Sequence, residues 1–179
     1  MLFNGEKVGT GLGPKVDIAV DPIDGTSLTA AGRQNAISVI AVADRGSMLD
    51  ASAVFKMNKL VSGPAGVGVI DIRQSIGQNI RDYAKAANKP VGEVVVAVLD
   101  REYNGELVED IRSAGAGTRL LRDGDVAAGI LAARPNSRVD ICAGIGGSPE
   151  GIVTACGIRA LGGTIQGILH PVSEIERTN

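Results

Sequence analysis

The strongest constraint on the fold of this 179-residue chain is an alternation of helical and extended patterns that begins near residue 72. Ile72, Ile76, Ile80, Tyr83, Ala84 and Ala87 recur at helical spacing until Asn88-Lys89-Pro90, where the proline ends the run. The stretch 93–99, apolar after Glu93, reads as a central strand, 105–113 as a short helix with Leu107, Val108 and Ile111 inward, and 118–121 as a strand. A helix over 125–133, a strand over 139–142 and a helix over 149–161, stopped by Gly162-Gly163, complete the series. This β-α-β-α-β-α order predicts an α/β layered domain whose sheet is substantially parallel in this half.

The first half is organised around the hexapeptide Asp21-Pro22-Ile23-Asp24-Gly25-Thr26. Val16, Ile18 and Val20 alternate as a strand leading into it, and Pro22 presets a tight turn on which Asp21 and Asp24 converge. Gly25 admits φ > 0 and close approach of a ligand, which leaves the Thr26 hydroxyl free to aim at the same point. Two carboxylates about 4 Å apart repel by roughly 4 kcal/mol at an effective dielectric of ~20, so they call for a cation, a shared proton or solvent between them. Oxygen-only donors with no nearby Cys or His favour Mg²⁺ or Mn²⁺. The plainer reading is a β-turn in which Asp24 and Thr26 cap backbone groups; the preceding strand and the following threonine favour a functional site. Further strands are expected at 36–43, ending at Asp44-Arg45-Gly46, and at 59–62. A glycine-rich stretch over 63–71 marks a boundary between a first lobe, 1–65, and an α/β second lobe, 66–179.

In layered α/β sheets ligands sit at the carboxyl ends of strands, where three glycine- and carboxylate-rich turns are expected. They are the hexapeptide, Asp123-Gly124-Asp125, and Gly144-Ile145-Gly146-Gly147-Ser148-Pro149-Glu150-Gly151. The last places Pro149 and Glu150 in the first turn of a helix, whose free N–H groups suit a phosphate. Glu150 is either a metal ligand or an acidic residue favoured by the helix dipole, and by itself the dipole accounts for it. Neither G-x-G-x-x-G nor G-x-x-x-x-G-K-[ST] occurs.

Composition narrows the function classes. Eighteen basic and twenty acidic residues give a net charge of −2, and aromatics make up 2% with no Trp, so basic tracts and stacking platforms for nucleic acid are missing. No nucleic-acid partner and no membrane partner are expected. No stretch approaches eighteen apolar residues and residues 1–7 do not resemble a secretion signal, which makes the cytoplasm the expected location. Cys142 and Cys156 lack ligand spacing and read as small buried residues in a reducing compartment, while His170, the lone histidine, reads as structural or exposed.

Taken together, the hexapeptide, Asn35-Ala36-Ile37-Ser38-Val39, Asp123-Gly124-Asp125-Val126-Ala127 and the 144–151 segment resemble class II fructose-1,6-bisphosphatases over nearly the whole chain. The hexapeptide alone marks the wider lithium-sensitive phosphatase superfamily, inositol monophosphatases included; the glycine-rich Pro-Glu-Gly segment selects class II. The resemblance implies an αβαβα sandwich and hydrolysis of the 1-phosphate of fructose 1,6-bisphosphate in gluconeogenesis with Mg²⁺ or Mn²⁺; some members also accept sedoheptulose 1,7-bisphosphate. It further implies that Asp21, Asp24 and Glu150 hold metal and that the Thr26 hydroxyl orients or activates the attacking water. Asp24, Gly25, Thr26, Arg101, Asp123, Gly124, Asp125 and Gly147 would contact the substrate, a small sugar bisphosphate. Asp123 and Asp125 suit sugar hydroxyls better than phosphate, and their plain alternative is a turn with Asp125 as a helix N-cap.

The chain also departs from the family pattern. Family members extend past it at both ends, so the resemblance implies an incomplete sheet and the absence of upstream acidic ligands and a substrate lysine. Lys56 stands where the family has a substrate-binding tyrosine. Arg101-Glu102-Tyr103 stands where it has a basic-Pro-Arg phosphate clamp, of which only Arg101 keeps its charge. The expected activity is therefore a metal-dependent sugar-bisphosphate phosphatase. The alternatives are an inactive remnant that only binds metal or sugar phosphate, and an inositol-phosphatase-like substrate range. A homo-oligomer stays open.

Overall fold

The computed structural model describes residues 4–178. Its centre is a five-stranded sheet, ordered β5-β4-β6-β3-β7, built from β3 (Lys56–Ser62), β4 (Val95–Leu99), β5 (Gly117–Leu121), β6 (Ile141–Gly147) and β7 (Thr164–Leu169). β4 runs parallel to β5 and β6, as the alternating pattern predicts, whereas β3 is antiparallel to both β6 and β7. The sheet is therefore mixed. The expected boundary after residue 65 falls just beyond β3, which is nonetheless hydrogen-bonded into the middle of this sheet.

Side chains on successive strand residues point to opposite faces, and the core divides accordingly. Leu60, Val96, Val98, Ile141 and Ala143 face Ile76, Ile80, Tyr83 and Ala84 of α2 (Ile76–Ala86) and Val108 and Ile111 of α3 (Gly105–Ser113). Val61, Ala97 and Cys142 face Ala128, Ala132 and Ala133 of α4 (Val126–Ala133) and Ile158 of α5 (Ser148–Ala160). The outer side of α4 and α5 in turn packs on a two-stranded antiparallel sheet, β1 (Val16–Asp24) with β2 (Ile37–Asp44), through Val126, Val153, Ala41, Ile37 and Val39. The layers thus run α-β-α-β, in agreement with the layered α/β class. On the far side of the small sheet Val16, Ile18, Val20, Ile40 and Val42 are exposed.

Four local expectations change. The helix expected from Ile72 begins at Ile76, because Ser75 accepts a hydrogen bond from the Gln78 N–H (3.2 Å) as a true N-cap. The strand at 139–142 shifts to Ile141–Gly147, so four residues expected in a turn are extended. β7 had no counterpart in the sequence reading, and α1 (Thr26–Ala30) and α6 (Glu174–Thr178) are single short turns. The hexapeptide is not a compact β-turn: β1 continues through Pro22 to Asp24, with its register against β2 broken between Asp21 and Asp24. Proline is tolerated there because the strand is at a sheet edge and the ladder is already interrupted.

Candidate functional site

The carboxyl ends of β4, β5 and β6, the start of β3 and the end of β1 meet at one rim, and the acidic residues singled out above gather there. Asp24 is 5% exposed and its Oδ2 accepts from the Val126 N–H at 3.2 Å. Burial, together with Asp125, Asp21 and Glu150, pushes its carboxyl up to about 6, only partly opposed by that hydrogen bond. Glu150, half-buried in the first turn of α5, is likewise pushed up, chiefly by burial. Its carboxylate accepts from its own backbone N–H, yet Oε2 is buried without a hydrogen-bond partner. Leaving such an atom unmet costs about 1–3 kcal/mol, or more when it is charged, so Oε2 is an acceptor left unused by the protein's own donors.

Glycines make room for this cluster. Gly124 sits at φ +73°, and a Cβ there would lie 2.9 Å from Asp24 Oδ2. A Cβ on Gly147 would run into the Glu150 carboxylate, and one on Gly146 would meet Asp125 Oδ2 and Lys59 Nζ. The extended β6 glycines are thus the floor on which the acidic side chains rest. Gly25, at φ +92° and ψ +48°, turns the chain from β1 into α1, leaving Thr26 at the exposed head of that turn. Among the described residues the Thr26 hydroxyl makes no internal hydrogen bond, whereas the neighbouring Ser27 N–H donates to Asp123 Oδ2 at 2.8 Å.

The two aspartates of the 123–125 loop part company. Asp123 is partly buried, which alone would raise its pKa, but Ser27 and Arg101 together hold it below the usual carboxylate range. Its Oδ1 accepts from Arg101 at 2.7 Å, and Arg101 also donates to the Arg122 and Asp100 carbonyls. Asp125 precedes α4, but makes no side-chain cap there, because its carboxylate is paired with Lys59. Asp125 thus stands at the N-cap position, as the plain alternative has it, without supplying the side-chain capping bond.

Lys59 is the residue that sequence reasoning missed. Its ammonium lies 2.5 Å from Asp125 Oδ2 and donates to the Gly147 carbonyl at 3.1 Å, with the side chain 5% exposed. It is the buried cation that pairs with Asp125, and its charge also opposes the upward push of burial on Glu150. The only local signal was a lysine immediately before Leu60-Val61 in a strand with two buried faces. Asn104 escaped notice as well. It donates to the Leu99 and Ile145 carbonyls and accepts from the Ile145 N–H at 2.9 Å, which ties the 102–104 turn to β6.

The donor set suits a hard dication: the side chains that crowd together are oxygen-only and strongly anionic, and Glu150 Oε2 has no partner. Among the described residues, however, no three His, Cys, Asp or Glu side chains converge closely enough to form a cage by themselves. Asp21 Oδ1 turns back to the Ile23 N–H (3.1 Å) and Asp24 to Val126, as repelling carboxylates do when backbone N–H groups are within reach. No helix among the described residues is long and apolar enough to cross a membrane.

The family model for bacterial fructose-1,6-bisphosphatase, glpX-encoded, matches residues 1–179. The chain is 44% identical, over all 179 of its residues, to fructose-1,6-bisphosphatase 1 class 2 of Escherichia coli (strain K12) and to fructose-1,6-bisphosphatase class 2 of Shigella flexneri. In each case it covers 53% of the relative, so it spans about half the length of the proteins it matches.

Proposed function

Because the chain belongs to the bacterial, glpX-encoded fructose-1,6-bisphosphatase family, we propose that its acidic rim hydrolyses the 1-phosphate of fructose 1,6-bisphosphate, a gluconeogenic step, in the cytoplasm. The observation that carries this reading is the buried, unpartnered Glu150 Oε2 beside a crowd of carboxylates of which Asp24 is pushed up to about 6. Asp21, Asp24 and Glu150 would hold Mg²⁺ or Mn²⁺. Such a dication, when bound, supplies the positive charge that screens the phosphoryl oxygens and favours ionisation of water.

The remaining work falls to the protein. Thr26, with its hydroxyl uncommitted at the end of β1, orients the attacking water. Lys59 keeps Asp125 in place beside Asp24, and through Gly147 it anchors the strand end that precedes Glu150. Gly25, Gly124 and Gly147 let substrate approach the backbone, while Asp123 and Asp125 offer acceptors to sugar hydroxyls once substrate competes for their present partners. Arg101 contributes by keeping Asp123 ionised and fixed. Sedoheptulose 1,7-bisphosphate, with the same primary phosphate ester, is a second substrate of this reading.

A binding-only role is the second reading, favoured by the absence of a preassembled three-carboxylate cage among the described residues. Release of inorganic phosphate from fructose 1,6-bisphosphate by the 179-residue chain, with Mg²⁺ or Mn²⁺ and with chelator, separates the two. Metal-dependent release supports the phosphatase; no release with retained Mn²⁺ binding supports the binding module. Faster release from inositol 1-phosphate would overturn the choice of substrate.

A further inference from the structure

At the end of α4 remote from the acidic rim, the chain turns sharply. Arg134, the C-cap, is extended at φ −81° and ψ +138°, as the residue before a proline must be, and Pro135 cannot continue the helix. Asn136 then adopts the left-handed conformation at φ +58°, which asparagine tolerates better than most residues, and the chain heads into β6. The eight residues of α4 separate this turn from Asp125 by about 12 Å.

Arg134 and Arg138 flank that turn, and Arg119 reaches the same place from β5, an edge strand of the large sheet. Arg119 lies in register with Ala97, whose side chain packs toward α4, so strand pairing puts the arginine on the α4 face. The three arginines line one open cleft of about 260 Å³ with Asn136 and Ser137, and Leu131 and Pro135 give it an apolar wall. No Asp or Glu lines it. Among the described residues none of the three guanidiniums makes an ion pair or a hydrogen bond. Asp140, the nearest acid along the chain, is already claimed by Lys89 at 2.7 Å and by the Val95 N–H at 2.8 Å. Ser137 Oγ accepts from the Val139 N–H at 3.1 Å, which leaves its own proton to donate. The macrodipole of α4 accounts for one cation at its C-terminus, Arg134, but not for Arg119 and Arg138 on other segments. Three like charges gathered without a counter-ion, in a chain whose acidic residues outnumber its basic ones, make a place that takes its anion from solution.

We propose that this cleft binds a small organic anion that carries both a phosphate and a carboxylate. Guanidinium forks match both groups, and three of them exceed what a single phosphate needs. The cleft is smaller than the roughly 300–1,000 Å³ of pockets that enclose drug-sized ligands, so it suits a skeleton of about three carbons. No aromatic ring lines it, which disfavours a nucleotide because the base would have nothing to stack on. The site stands apart from the carboxylates around Asp24 and calls for no metal, so it does not depend on the phosphatase reading.

The test is calorimetric titration of the 179-residue chain, stripped of metal so that nothing recruits anions to the acidic rim, with 3-phosphoglycerate. Saturable binding in the millimolar range or tighter is expected, with glycerol 3-phosphate about tenfold weaker and glycerate weaker still. Arg119→Gln and Arg138→Gln are each expected to lower the affinity about tenfold, and Arg138→Lys severalfold, because an ammonium lacks the fork. Arg122→Gln, outside the cleft, should bind as the parent does. No saturable binding, parent-like affinity in both cleft variants, or an equal loss in Arg122→Gln overturns the proposal. So does inorganic phosphate binding as tightly as 3-phosphoglycerate, which would reduce the cleft to an unselective anion patch. Tighter binding of duplex DNA through the same arginines would overturn it too, in favour of a nucleic-acid surface.

Discussion

Lys59 Nζ and Asp125 Oδ2 lie 2.5 Å apart, with side chains only 5% and 9% exposed, at the point where β3, β6 and the start of α4 converge. Lys59→Met would leave Asp125 buried and unpaired among Asp24 and Glu150, and the expected loss is about 3–5 kcal/mol of unfolding free energy. Lys59→Met combined with Asp125→Leu should recover most of it, because an apolar pair carries no uncompensated charge. Urea unfolding of both variants checks this; a double variant no better than the single one would show that the lysine acts through packing alone.

Asp24 has its pKa raised from 3.8 to about 6, so the metal-free folded state holds that proton more tightly than the unfolded chain does. The associated stability is complete below about pH 3.8 and is lost as the pH rises through about 6. A loss on the order of 2 kcal/mol is expected across that window. Asp24→Asn should abolish the slope, melt higher than the parent at pH 7 in chelator, and lose stabilisation by Mn²⁺. Thermal melts at pH 4, 5, 6 and 7 with and without Mn²⁺ decide the matter; a variant that melts lower than the parent at every pH would mark Asp24 as structural.

Gly147→Ala and Gly124→Ala should differ in kind. Gly147 has an ordinary extended backbone, φ −68° and ψ +139°, so an added methyl group chiefly displaces the Glu150 carboxylate. Gly124 sits at φ +73° against Asp24, so its variant adds backbone strain of about 1 kcal/mol or more to the clash. Expected results are weakened Mn²⁺ binding with little change in unfolding for Gly147→Ala, and a loss in both for Gly124→Ala. Equal stability losses would contradict the distinction.

Asn104→Ala removes three hydrogen bonds that join the 102–104 turn to Leu99 and Ile145. A cost of about 1–3 kcal/mol is expected, with faster amide exchange at residues 101–104. Protection unchanged at Tyr103 would mean that the turn is held by other contacts.

Much of the second half was legible because its signals are local. The α3 and α4 patterns and the β4 and β5 runs fall within two residues of the observed elements, since each segment buries its own apolar stripe against the sheet. The glycine-rich approach to α5 misled for a physical reason: Gly144, Gly146 and Gly147 are there to clear space for Asn104, Asp125 and Glu150, which an extended strand does as well as a turn. β7 was invisible because Thr164-Ile165-Gln166-Gly167-Ile168-Leu169 has no clean alternation; it is a strand only because β3 offers it an edge. The candidate carboxylates were readable from their spacing with Gly and Pro, but their partners were not.

By itself the sequence determined the layered α/β class, the order of most elements and the acidic and glycine residues at the rim, because periodicity and turn chemistry act over a few neighbouring residues. Only the tertiary structure decided that β3 runs antiparallel between β6 and β7, that Lys59 neutralises Asp125, that Asp123 is claimed by Arg101 and Ser27, and that Lys56 lies over Tyr103. Those contacts join residues far apart in the chain. A charge selects its partner there by distance and desolvation in the packed state, which no local pattern encodes.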